Sequence, residues 1–305
     1  MDSMHSTSAT QHSRSRDPAP AASTSEMLVA TDLTDRSERA LGRALQLYDE
    51  LEAKHLSLLH VVAEGLPPDL AKQQLAGAEA FLRTRMAKEP ARRGSQAVSE
   101  IIVCTGDPFS TILTQSIDRS ADLIIIGAPG KHRYADIFMG TTAERVIRFS
   151  DKPVLMVKQA PGEPYRRILV AFDGSEGAIR GLQMALAIAP GAEFRVVHAW
   201  WPPHVSLGES DAARDLINED NRRLKSLIEE AATKAIPAGG TRSAVVTIDM
   251  VENNPYLVMK NELAWPDLLV MGTHSKGRLA STVTIGHLAR HLLAESPCDV
   301  LTSRP

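Results

Sequence analysis

The chain has 305 residues, 43% hydrophobic and 23% charged, with a formal net charge of −3, which suits a soluble globular protein long enough for two domains. That charge gives no electrostatic reason to expect nucleic acid or an anionic membrane as main partner, and no apolar run approaches the roughly 18–20 residues that span a bilayer. Cys104 and Cys298 stand far apart without CxxC spacing, which argues against a disulfide framework or zinc site and fits a reducing, cytoplasmic setting.

Residues 1–26 are dominated by Ser, Thr, Pro and Ala and lack both an apolar h-region and any periodicity. Such a segment buries too little surface to offset its ordering entropy, so a disordered tail is expected. Regular structure begins at "MLVATDLTDRSERALGRALQL" (27–47), a short apolar run leading through Asp32 into an amphipathic pattern. "LSLLHVV" (56–62) reads as a second strand, and "GDPFSTIL" (106–113) as a turn opening a helix. "DLIIIG" (122–127) is continuously apolar, as in a strand buried on both faces of a parallel sheet. A loop with Gly127, Gly130 and Gly140 follows, then the helix "TTAERVIRF" and the strand "DKPVLMV" (151–157).

After "QAPGEPY" (159–165), a Pro/Gly linker, the same features return in the same order. "ILVAFDGSEGAIRGLQMALAI" (168–188) places Asp173 on Asp32, and "FRVVHAW" (194–200) places His198 on His60. "NNPYLVMK" (253–260), "DLLVMGTHSK" (267–276), "GHLARHLLAE" (286–295) and "PCDVLTS" (297–303) complete the copy. Between them, Leu216, Ile217, Leu224, Leu227, Ile228 and Ala231 fall on one helical stripe. Each copy therefore reads βαβαβαβαβ. The expected fold is α/β: two tandem doubly wound domains, each a five-stranded parallel sheet in the order 3-2-1-4-5, spanning 27–158 and 166–305. The final strands, 152–158 and 298–304, are expected to pair with each other across a pseudo-two-fold axis, because unpaired sheet edges invite pairing.

In such sheets ligands bind beyond the carboxyl ends of the strands where the strand order reverses, here between strands 1 and 4. Asp32 and Gly127 leave those strands. Glycine-rich turns and helix N-termini offer backbone N–H groups to anions. The alternative for the same residues is structural, since Thr141 with Glu144 forms a capping box that needs no ligand, and Asp32 suits a helix entrance. Neither a P-loop nor a GxGxxG is present, and no catalytic set emerges. His287 and His291 sit at i, i+4 without an evident third ligand, so no metal site is expected there.

The spacing Gly127-x2-Gly130-x9-Gly140-Thr141 resembles the nucleotide-binding motif G-2x-G-9x-G-[ST] of the universal stress protein family. "LVATDLTDRSERAL", "GDP" and "DKPVLMV" resemble that family's first strand, its turn before the third helix and its last strand. The resemblance covers essentially all of 27–305 as a tandem pair. It implies ATP or a related adenine nucleotide, with Mg²⁺, between strands 1 and 4. Asp32 would stand near the ribose or metal and the strand around His60 and Val61 near the adenine. Gly127, Gly130, Gly140, Thr141 and Thr142 would hold the phosphates. The second copy departs from the motif: Gly272-x2-Ser275-x10-Gly286-His287 replaces a glycine by Ser, inserts one residue and puts His where Thr stood. Its site, with Asp173 retained, is expected to be degenerate. The function implied is a cytoplasmic, nucleotide-responsive stress regulator rather than an enzyme, self-associating and acting on a regulatory protein partner. A slow ATPase or nucleotide-dependent transferase, or an apo interaction scaffold, are the alternatives.

Overall fold

A computed structural model describes residues 24–89, 98–129, 141–200, 211–235, 244–273 and 285–305. In the first repeat the elements are β1 (Glu26–Thr31), α1 (Asp35–Glu50), β2 (His55–Ala63), α2 (Pro68–Ala87), β3 (Glu100–Gly106), α3 (Pro108–Asp118), β4 (Leu123–Gly127), α4 (Thr142–Phe149) and β5 (Val154–Val157). The second repeats them as β6 (Arg167–Ala171), α5 (Glu176–Ile188), β7 (Glu193–Trp200), α6 (Asp211–Ala235), β8 (Val245–Glu252), α7 (Pro255–Glu262), β9 (Leu268–Gly272), α8 (His287–Glu295) and β10 (Asp299–Ser303).

The strands form one ten-stranded sheet in the order β3-β2-β1-β4-β5-β10-β9-β6-β7-β8. Each repeat thus has the expected 3-2-1-4-5 order, all neighbours within a repeat being parallel. The central join is the antiparallel pair β5–β10, with Leu155 opposite Leu301, Met156 opposite Val300 and Val154 opposite Thr302. Each repeat's last edge is thereby covered by the other, which removes two rows of unpaired backbone groups.

Local chemistry explains the elements. β4 (LIIIG) and β9 (LLVMG) are buried along their apolar residues, because helices cover both faces of the sheet. Helix α1 buries Ala40, Leu41, Ala44 and Leu45 on one stripe, and α6 does the same with Leu224, Ile228 and Ala231. Helices α3 and α7 start alike: Asp107 accepts from Ser110 N, Asn254 accepts from Tyr256 N, and proline fills the first helical position of each. One apolar cluster takes α1, α2, α5 and α6, and the opposite cluster takes the α3, α4, α7 and α8 side. Equivalent helices therefore share a face, as a two-fold normal to the sheet requires. Leu155 and Leu301 belong to the first cluster and Met156 and Val300 to the second, so both cores run through the join.

The join also carries a buried polar cluster. Asp299, fully buried at the start of β10, accepts from the backbone N–H groups of Lys158 (2.8 Å) and Gln159 (2.9 Å) and from the Tyr165 hydroxyl (2.7 Å). Arg43 of α1 lies 3.4 Å from the same carboxylate and stacks over the Tyr165 ring. The Lys158 ammonium donates to the carbonyls of Leu293 and Ser296 at the end of α8; burial lowers its pKa to about 8 against the pull of Cys298 and Asp299. The segment 159–165 is thus tied to both repeats at Gln159, Glu163 and Tyr165.

Candidate functional site

At the carboxyl ends of β1 and β4, where the order reverses, the first repeat has a cavity of about 480 Å³. Ala30, Leu59, Val61, Ile126 and Val146 supply apolar lining, and Thr31, Asp32, Arg36, Ser37, His60, Thr141 and Thr142 supply polar groups. The site residues read from the sequence are therefore brought together: Asp32, His60, Val61, Gly127, Thr141 and Thr142 all line one cavity. Gly130 and Gly140, and most of the loop between them and Gly127, lie outside the described residues, as does Ser275 of the second repeat.

The turn after β1 is held by a short polar network. Asp32 Oδ1 accepts from Thr34 N (3.1 Å) and Thr34 Oγ1 (2.6 Å). Thr31 Oγ1 donates to Ser37 Oγ (2.9 Å) and accepts from Leu33 N (3.0 Å). Burial pushes the Asp32 pKa up, but the hydrogen bonds from Thr34 and Ser37 outweigh it and hold the carboxyl below its ordinary value. Asp32 is therefore ionised at neutral pH. Asp173 builds the same turn, accepting from Ser175 N at 2.9 Å, so the aspartate shapes the helix entrance in both repeats.

Leu33 occupies the left-handed region, φ 63°, where the second repeat has Gly174 at φ 69°. An L side chain there costs about 1–2 kcal/mol. Gly174→Ala should accordingly lower stability by about 1 kcal/mol in chemical denaturation; an unchanged midpoint would show that the turn relaxes.

His60 pairs in register with Thr31, and its Nδ1–H donates to the Thr31 carbonyl at 2.9 Å. The carbonyl is acceptor-only, which fixes the tautomer and leaves Nε2 as the acceptor of the neutral ring. His198 makes the same bond to Phe172 O at 2.7 Å. The repeated bond holds each ring against the carboxyl end of the neighbouring strand.

Gly127 has a packing role in addition to the place its motif gives it at the cavity. A Cβ there would lie 2.9 Å from the backbone carbonyl carbon and oxygen of Arg36 and 3.0 Å from Ser37 N. Its equivalent Gly272 faces Ala178 N and Ser175 Oγ at 3.0 Å. The missing Cβ lets the first turn of α1 or α5 sit against the end of β4 or β9, with or without a ligand. Thr141 caps α4 as the sequence suggests, accepting from Glu144 N at 3.1 Å. Thr142 and Ala143 follow in the first turn, where N–H groups have no intrahelical acceptor, and both line the cavity. Asp107, at the start of α3, receives Arg145 Nη1 from α4 at 3.2 Å, which ties the two helices bordering the site.

Arg36 is the lining residue that motif reading missed. The signal was in the repeat alignment, which puts Arg36 on Gly177 and Ser37 on Ala178. The second repeat's cavity is about 130 Å³. Asp173, Gly272, Gly286 and His287 line it, and among the described residues no Lys or Arg does. Gly286 N donates to Thr273 O at 3.0 Å, so an N–H at the entrance to α8 is already used. His287 and His291 meet at 3.2 Å between their Nε2 atoms. Among the described residues no group of three His, Cys, Asp or Glu could hold a metal ion, and no helix is long and apolar enough to cross a membrane.

A model of the universal stress protein family matches residues 24–158 and again 164–304. Universal stress protein YxiE of Bacillus subtilis is 31% identical over 151 residues, covering 44% of this chain and 98% of its own. Universal stress protein MJ0577 of Methanocaldococcus jannaschii is 28% identical over 157 residues, covering 44% of this chain and 94% of its own. Among solved structures, a universal stress protein from Archaeoglobus fulgidus shares the fold over 92% of this chain and 98% of its own, with a TM-score of 0.65 and 20% identity.

Proposed function

The chain belongs to the universal stress protein family, and we propose that within it the protein is an adenine-nucleotide-responsive stress regulator, with ATP held mainly by the first repeat. The observation that carries this reading is the difference between two cavities at equivalent places, about 480 Å³ with Arg36 and the Thr141–Thr142 pair against about 130 Å³ with neither. A cation and two helix-entrance N–H groups without an intrahelical acceptor suit phosphates. The apolar residues between β1, β2 and β4 suit a purine ring. An accompanying Mg²⁺ would take the ionised Asp32 carboxylate as its protein ligand, since hard cations prefer oxygen. With Nδ1 of His60 committed to Thr31 and no nucleophile–base pair among the described lining residues, the lining favours holding a nucleotide over turning it over. The nucleotide state would then be passed to a protein partner or a second copy. Free, partly or fully buried cysteines suit the cytoplasm.

Calorimetric titration of the full chain with Mg·ATP tests this. About one site per chain is expected, weakened at least tenfold, or about 1.4 kcal/mol, by Arg36→Ala. Two equal sites, or no binding at all, would overturn the assignment. Sustained hydrolysis at roughly 1 s⁻¹ or faster would favour an enzyme instead.

A further inference from the structure

The second repeat's cavity has changed chemistry as well as size. Along the repeat alignment, Thr31, Arg36 and Ser37 become Phe172, Gly177 and Ala178, while Thr141 becomes His287. Three hydrogen-bonding or charged side chains are thereby removed. What lines the cavity instead includes Val197, Met259, Met271 and Leu292, each no more than 3% exposed and all members of one apolar cluster, with Leu288 packed beside them. The carboxylate of Asp173 stands at the same cavity with no lysine or arginine among its described lining residues, which disfavours an anion there. The described lining thus disfavours a phosphate ligand, and the volume of about 130 Å³ disfavours a nucleotide.

The remaining space fits another class of ligand. An apolar cavity of roughly 150 Å³ stays dry and accepts benzene, and this one measures about 130 Å³. Methionine is suited to line such a space, because its thioether adapts in shape and makes favourable contacts with aromatic ring edges. Both methionines here sit at positions held by isoleucine in the first repeat, Met259 on Ile112 and Met271 on Ile126. We propose that the second repeat is a binding site for a small uncharged aromatic molecule, of benzene to phenol size, between β6, β9, α7 and α8. This site is independent of nucleotide binding in the first repeat.

The test uses the full chain with ¹³C-methyl-labelled methionine, saturated with Mg·ATP so that the first cavity is filled, and titrated with benzene and then phenol. A ring entering the cavity shifts the methyl resonances of Met259 and Met271, assigned with Met259→Leu and Met271→Leu, saturably and ahead of the other methionines. Ala289→Leu places a larger side chain in the same space. It should weaken benzene at least tenfold and leave ATP affinity unchanged. Absence of a saturable shift at Met259 and Met271 would overturn the proposal, as would a benzene affinity unaltered by Ala289→Leu. If the chain proves not to bind ATP, the titration without nucleotide reads the same two methyls, so the two readings fail separately. Competition of benzene by ATP at these methyls would also overturn it, by placing nucleotide in the second repeat.

Discussion

Asp299→Ala should destabilise the whole protein by about 3–5 kcal/mol, the range for removing one partner of a buried charge pair. The carboxylate is fully buried and takes two backbone N–H groups, the Tyr165 hydroxyl and the nearby Arg43 guanidinium. Its loss strands all four. Arg43 keeps its bonds to Gln46 and to the Glu163 carbonyl, but its charge would remain inside without a counter-ion. Arg43 Nε already lacks a hydrogen bond, the 3.4 Å approach to Asp299 being an ion pair without good alignment. The pair is therefore worth less than its Coulomb term suggests, whereas breaking it on one side is costly. Asp299→Asn separates the two contributions, because it keeps an acceptor for Lys158 N and Gln159 N while removing the charge, and should cost less. Arg43→Met copies the second repeat, where Met184 stands at that position. Combined with Asp299→Asn it should recover part of the loss, a coupling that a double-mutant cycle in urea measures. Additive effects would show that Arg43 and Asp299 act separately. Because both apolar cores run through the join, the loss should appear in the unfolding of both repeats together.

Gly127→Val should cost about 1–3 kcal/mol, the range for overpacking a well-packed site. The contact at 2.9 Å is with the backbone of Arg36, which cannot rotate away as a side-chain tip could. The first turn of α1 must move off β4, carrying Arg36 and Ser37 with it. Gly272→Val makes the matching contacts with α5 and should lose comparable stability. The pair then separates packing from ligand binding. Both variants should melt earlier, but only Gly127→Val should also lower ATP affinity per folded molecule, by displacing Arg36 from the first cavity. Unchanged stability in both would refute the packing role of these glycines. Equal loss of ATP binding in both would return nucleotide to the second repeat.

Periodicity and repetition in the chain were enough to specify the two doubly wound halves, their strand order and the antiparallel join. Such features follow from local rules: continuous apolar runs make strands buried on both faces, apolar stripes make the covering helices, and right-handed crossovers leave few topologies. The gathering of Asp32, His60, Val61, Gly127, Thr141 and Thr142 was legible for the same reason, since each leaves or borders a strand at the reversal point. Roles were less legible than places. Gly127 reads as a phosphate glycine in its motif, yet the closest atoms to its missing Cβ belong to α1, residues distant in sequence. Arg36 carried no motif and emerged only when the fold placed it at the first cavity, its repeat partner Gly177 having no side chain to offer the second. Asp299, Arg43 and Tyr165 gave no signal at all, because the second repeat has no matching cluster among the described residues and their mutual contacts join parts of the chain far apart in sequence. Short-range pattern encodes what a residue's own element requires. Which charges are buried together, and how much space a site retains, depends on contacts between elements that exist only once the two halves have packed.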